Sequence, residues 1–248
     1  MNLFDDIYNK RAIKKAQDGF TAALDALGYP YRLLEGGMDD GGIMALYARE
    51  LEKGASEGYF PVLLPYEPRL FELIEQNRAQ GEPSEAILGG AAVFAKRLEE
   101  CALSKRDNCG ENPSEHPIKG FSALDRFALL FTEYTNSFRM SALMLLPTAK
   151  PWEAALFLPF GGRNECPAPR EMAAMLKKWH ESFGAVPAVF AGDALEIFIP
   201  RPLDETELRE AAGETAAFAG RAYDGSAEAL SRFVKETRNK CVWHFTWG

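Results

Sequence analysis

The stretch Gly161-Gly162-Arg163-Asn164-Glu165-Cys166-Pro167 holds the densest set of groups that could do chemistry. Adjacent glycines allow backbone conformations closed to other residues and bring N–H groups close to a ligand. Pro169 suits the first position of a helix carrying Met172, Met175, Leu176, Trp179 and Phe183. Asn164, Glu165 and Cys166 then project near that helix's positive end, where a thiol pKa is lowered. Cys166 is therefore a candidate nucleophile, and a nucleophile needs a base. His180 lies roughly 20 Å further along the same predicted helix at ~1.5 Å per residue, too far to serve. His116 sits in a polar stretch. His244 reaches Cys166 only if the last strand runs beside the one predicted to end at Phe160. The competing reading is structural: Gly161 and Gly162 make a turn, and Asn164 or Cys166 caps a helix. The spacing fits neither G-x-G-x-x-G nor G-x-x-x-x-G-K-[ST], so there is no nucleotide fingerprint and no cofactor is expected.

Other reactive groups are sparser. Cys101, Cys109 and His116 form C-x7-C-x6-H, outside zinc-site spacings. Asp39-Asp40-Gly41-Gly42 lacks the calcium-loop pattern, so no metal is expected. Asp193 and Glu196 flank a Gly192-Asp193 hairpin turn, and Glu196 shares a face with Phe198 from which it could reach a cleft. In the terminal run Cys241–Trp247, alternation puts Cys241, Trp243, Phe245 and Trp247 on one face and Val242, His244 and Thr246 on the other. The aromatic face is read first as core, with a pocket or partner surface as the sharper alternative.

Periodicity supplies the scaffold. Helices are predicted over Asp5–Leu27, around Ile43–Leu51, from Pro68, over Ser84–Leu103, from Ser122 as N-cap, from Pro169, and near 204–219 and 227–238. Strands are predicted at Tyr31–Leu34, Tyr59–Tyr66, Trp152–Phe160, a hairpin of Val186–Phe190 with Leu195–Pro200, and the terminal run. Pro61 implies that its strand starts there or lies near an edge. Met140–Leu146 fits either a strand or a helical turn. The expected fold is α/β (or α+β), a mixed β-sheet with helices packed around it. It divides into an N-terminal α/β portion at 1–104, a polar insertion at 105–120 and a C-terminal portion at 121–248, read as two coupled halves.

Composition narrows the function classes. With 28 Lys plus Arg against 36 Asp plus Glu, the net charge is −8. Nucleic-acid and anionic-membrane binders need the opposite excess, so neither general nucleic-acid nor membrane binding is expected. No apolar run is long enough to span a bilayer. The N-terminal stretch lacks a signal-peptide core, and four cysteines without CxxC spacing fit reduced thiols in a cytoplasm.

Several C-terminal motifs resemble a known bacterial family. These are Pro151-Trp152-Glu153, Leu158-Pro159-Phe160-Gly161-Gly162, Asn164-Glu165-Cys166-Pro167, Trp179-His180, Gly192-Asp193, Leu195-Glu196 and the closing Val242-Trp243 with Phe245 and Trp247. Over about residues 145–248 they resemble domain of unknown function 4253. Glu57–Leu63 is similar to a G-F-x-P-V strand of longer members. Arg163 stands where that family carries tryptophan, and 218–225 lacks its Cys-Pro-Asp and Asp-Gln-Gly elements. His244, Thr246 and Gly248 stand in place of Tyr, Trp and Asp. The resemblance implies a fold and a bacterial cytosolic setting, and no reaction.

The leading expectation is a non-catalytic binding or interaction protein, immunity-like or regulatory, whose acidic surface takes a basic protein partner. The alternatives are an enzyme or small-ligand binder using Gly161–Pro167, and a homodimer through the aromatic strand.

Overall fold

The computed structural model describes residues 3–79, 118, 120–220 and 226–247, with side chains from Arg11 onward. The predicted Ser84–Leu103 helix and nearly all of the polar insertion lie outside these residues, as do Cys101, Cys109 and His116.

The fold is α/β, built on one seven-stranded mixed sheet. In chain order the elements begin α1 (Leu3–Leu27), β1 (Tyr31–Leu33), α2 (Asp40–Glu57), β2 (Phe60–Pro65), α3 (Pro68–Ala79), β3 (Phe121–Leu124) and β4 (Ser141–Leu146). They continue with α4 (Ala154–Phe157), α5 (Pro169–Phe183), β5 (Val186–Phe190), β6 (Ala194–Phe198), α6 (Glu205–Phe218), α7 (Ala227–Thr237) and β7 (Val242–Thr246). The strand order is β1-β4-β2-β5-β6-β7-β3, so segments before and after the polar insertion interleave in one sheet. Among the described strands only β2 and β5 pair in parallel.

Local chemistry explains the boundaries. The Asp39 carboxylate accepts from Gly42 N–H to start α2, and Gly58 ends it in the left-handed region at φ 82°. Asp204 and Glu207 form a reciprocal capping box on α6. Pro61 lies in an inner strand between β4 and β2's other neighbour β5, rather than at an edge. Its missing N–H faces the β5 side, where pairing is recorded only at Leu63↔Val189.

Two predicted elements are corrected. Ser122 does not cap a helix: Phe121–Leu124 is strand β3, paired antiparallel to β7, and a 3-10 turn at Ala128–Leu130 follows. The apolar spacing that suggested one helix is a strand followed by a turn. Trp152–Phe160 is not a strand either. Pro151 opens a 3-10 turn that runs into α4, where buried Ala154 and Ala155, with Leu158 capping the helix end, follow helical spacing. Met140–Leu146 resolves as strand β4, flanked by β1 and β2.

The core is richest where β7 meets the helices. Trp179 of α5 packs against Trp243 at 5.3 Å, Phe245 at 5.9 Å and Phe218 of α6 at 5.1 Å between ring centroids. Trp247 is buried too, and its indole N–H donates to the Phe218 carbonyl at 3.0 Å. The aromatic face of β7 is thus spent inside the chain, and β7 itself is flanked on both sides by strands. No described aromatic surface on β7 faces outward for a second copy.

Truncating the ring at the centre of this cluster should be costly. Trp179→Ala is expected to lower stability by about 3–5 kcal/mol. Urea unfolding followed by tryptophan fluorescence measures it, and a loss under ~1 kcal/mol would contradict the packing described.

Candidate functional site

Strand alternation gives β6 and β7 two chemically distinct faces. Leu195 and Ile197 lie with Trp243 and Phe245 under α5 and α6. Glu196 and Phe198 lie with His244 and Val242 on the other face. There α2 sends in Tyr47, whose ring meets Phe198 and Phe127 and whose hydroxyl donates to the Pro187 carbonyl at 2.8 Å.

Register brings Glu196 and His244 directly opposite one another. The Ile199 N–H donates to the Cys241 carbonyl and the Trp247 N–H to the Asp193 carbonyl. Counting inward from both, Glu196 and His244 fall at a position that exchanges no backbone bonds, where facing side chains come closest. Glu196 Oε1 lies 3.0 Å from His244 Nδ1 and accepts from the Leu129 N–H at 3.1 Å. That N–H belongs to the Ala128–Leu130 turn, whose leading donors have no partner inside so short a helix. Oε1 already accepts from the Leu129 N–H, so the neutral tautomer that suits this contact has its proton on Nδ1, which donates to Oε1, and its lone pair on Nε2.

Burial is uneven across the pair. Glu196 is 0 % exposed, whereas the His244 side chain keeps 18 % of its surface. Glu196 Oε2 is buried and, among the described residues, has no hydrogen-bond partner. Burial raises the Glu196 carboxyl above its usual range, while the bond and charge of His244 and the N–H groups of Leu129 and Ala128 pull it back.

The Gly161–Pro167 loop is a separate feature. It follows α4 rather than a strand, and Phe160 before it packs on Phe190, which faces Leu195 and not Glu196. Gly161, Gly162 and Asn164 all have positive φ, at 90°, 74° and 53°. The loop closes on itself: Gly162 N–H donates to Pro167 O, and Cys166 N–H to Arg163 O. A Cβ on Gly161 would fall 2.5 Å from Pro167 O and 2.8 Å from Cys166 Sγ. Cys166 is buried, Asn164 and Glu165 are exposed, and α5 is started by Glu171, which accepts from the Ala168 N–H. His244 has β6 and β3 as neighbours, with no strand ending at Phe160 beside it. Of the residues singled out by sequence, Glu196 and His244 are brought together, and Gly161, Gly162, Asn164, Glu165 and Cys166 sit on the α5 side of the sheet.

Sequence reasoning missed Ser122. It lies on β3 directly across from His244, so Ser122, His244 and Glu196 form one row over three adjacent strands. Ser122 is the single polar residue of Phe121–Leu124, so no local pattern separates it from a helix cap, and its role shows only through its pairing with β7.

Comparison with known proteins covers the second part of the chain. Residues 142–248 match the family described as "Domain of unknown function (DUF4253)". The match begins inside β4 and takes in Glu196 and His244, while Ser122 precedes it. No curated protein and no solved structure matches the chain. Among the described residues no helix is long and apolar enough to cross a membrane, and no group of three or more His, Cys, Asp or Glu could hold a metal ion.

The pair makes stability depend on pH in a defined sense. A carboxyl whose folded pKa lies above its unfolded value favours the fold below the unfolded pKa, and that contribution is lost as pH rises through the folded pKa. The Glu196→Gln variant lacks this loss, and, with both proteins carrying His244→Gln so that the coupled imidazole is removed, groups outside the pair cancel in the comparison. Stability of the variant relative to the parent should therefore rise from pH ~4 upward and then level off. Urea midpoints across pH 4–8 measure the difference, and a flat or falling one would contradict the assignment.

Proposed function

We propose that the protein holds a small proton-donating ligand, a hydroxyl or amine compound, at His244 Nε2 and acts on it as an acid–base site. Glu196 is the positioning residue. The observation that carries this reading is the wholly buried Glu196 carboxylate held against a part-exposed imidazole. Burying a carboxylate is expensive, and an apolar pair would join β6 to β7 at less cost. Perturbed ionisable pairs of this kind concentrate at functional sites. With Nδ1–H donated inward, Nε2 can accept a proton from a ligand and return it.

We place this activity in a reducing cytoplasm, a setting supported by the few cysteines of the sequence and by Cys241, which forms no disulfide among the described residues. The basic-partner expectation drew on net acidity and on the aromatic strand; with that strand in the core, it rests on the charge of −8 alone.

Diethylpyrocarbonate, which acylates unprotonated imidazole nitrogen, reads this site directly. At pH 7 the full-length protein should be acylated at His244, and Glu196→Gln should slow that reaction several-fold. His180, whose Nδ1 faces the Ala185 carbonyl at 3.1 Å, serves as internal control. Peptide mass spectrometry gives both rates. An inert His244, or equal rates in parent and variant, would overturn the reading.

A further inference from the structure

The row formed by Ser122, His244 and Glu196 deepens that acid–base reading, and rests on it. We infer that Ser122 Oγ is a nucleophile activated by His244, that the acyl donor is a small carboxylic ester, and that the proton-donating compound at Nε2 is the acyl acceptor, water in the simplest case.

Geometry supplies the argument. Ser122 and His244 are Cα partners in the β3–β7 ladder. Thr246 N–H donates to Gly120 O at 2.8 Å, and counting two residues along puts Ser122 and His244 at a backbone-bonded pair. Such a pair holds its Cα atoms about 5.5 Å apart with side chains on the same face. The two imidazole nitrogens direct their bonds to roughly opposite sides of the ring. Nδ1 is committed to Glu196 on β6. With Nδ1 directed at β6, Nε2 is left for β3, the strand that carries Ser122 on the same face, and no Ser122–His244 hydrogen bond is formed until a substrate engages the pair. Ser122 is half-buried and His244 keeps surface, so the pair is open to a ligand. The buried Glu196 Oε2, unpartnered among the described residues, marks a carboxylate held for something other than local bonding. Carboxylate, imidazole and hydroxyl thus stand in the order that acyl-transfer chemistry uses. Antiparallel sheet register here does what loops do elsewhere.

The step balances with water as the only co-reactant. Ser122 Oγ bonds to the acyl carbon while its proton passes to His244 Nε2. The bond from that carbon to the leaving alkoxide breaks, and Nε2 protonates the alkoxide. Water then adds to the acyl carbon, giving its proton to Nε2. The acyl–Oγ bond breaks, and Ser122 recovers its proton from His244. Glu196 stays ionised against the imidazolium throughout and transfers no proton.

A fluorophosphonate probe and p-nitrophenyl acetate test this on the full-length chain. The parent should form a covalent adduct at Ser122 and release p-nitrophenol. Adduct and release should vanish in Ser122→Ala and His244→Gln and fall in Glu196→Gln, with circular dichroism confirming each fold. Ser122→Cys gives a second handle: the thiol so introduced should be alkylated by iodoacetamide at a lower pH than either Cys166 or Cys241. Diethylpyrocarbonate separates the two claims. An unlabelled Ser122 beside a reactive His244 would overturn the nucleophile and leave the acid–base reading standing. Unreactive Ser122 and His244 together would overturn both.

Discussion

The register of β7 between β6 and β3 is the constraint on which the rest depends. A strand has period two, so a slip of one residue would exchange its faces entirely. Trp243 and Phe245 would leave the cluster they form with Trp179, Phe218 and Phe233. His244 would enter that cluster and lose Glu196. Burial of two large rings and pairing of one buried carboxylate therefore select the same register. Hydrophobic packing is the larger effect, because each aromatic removes on the order of 150–250 Å² from water. The polar row on the opposite face is positioned by packing it does not touch.

Glu196 shows what that positioning costs. Desolvation works against its charge, and the bonds from His244 and the Ala128–Leu130 turn only partly offset it. Replacing a buried ion pair by packed apolar residues is often neutral or stabilising, whereas removing one partner typically costs about 3–5 kcal/mol. The pair is thus a poor device for stability and a good one for fixing an imidazole. Its bond to Glu196 sets the tautomer and limits rotation of the ring. Tyr47, Phe127 and Phe198 pack on one another on the face of the sheet that carries Glu196.

Much of the scaffold was legible because its signals are local. Gly28 and Pro30 close α1, Gly192-Asp193 turns the β5–β6 hairpin, and strict alternation marks β7. The Trp152–Phe160 segment misled because short apolar runs look alike in helix and strand, and only the spacing of Ala154, Ala155 and Leu158 tells them apart. Ser122 misled for a different reason. A serine before an apolar run reads as a cap, and only its partner 122 residues away in β7 makes it a strand residue. Glu196 and His244 were each conspicuous as polar residues among apolar ones, yet their pairing is a tertiary fact. The glycine loop drew attention through its composition, and its closed backbone bonds account for those glycines without a ligand.

The central claim is that sheet register fixes one tautomer of His244 and aims its second nitrogen outward. Long-range proton–nitrogen correlation of the imidazole rings in the full-length protein tests it most directly, because the two nitrogens have separate shifts in each protonation state. The account predicts, for the neutral ring, a protonated Nδ1 bonded to Glu196 and an unprotonated Nε2, and loss of that preference in Glu196→Gln. A proton on Nε2, or two nitrogens averaged as in a free imidazole, would contradict it.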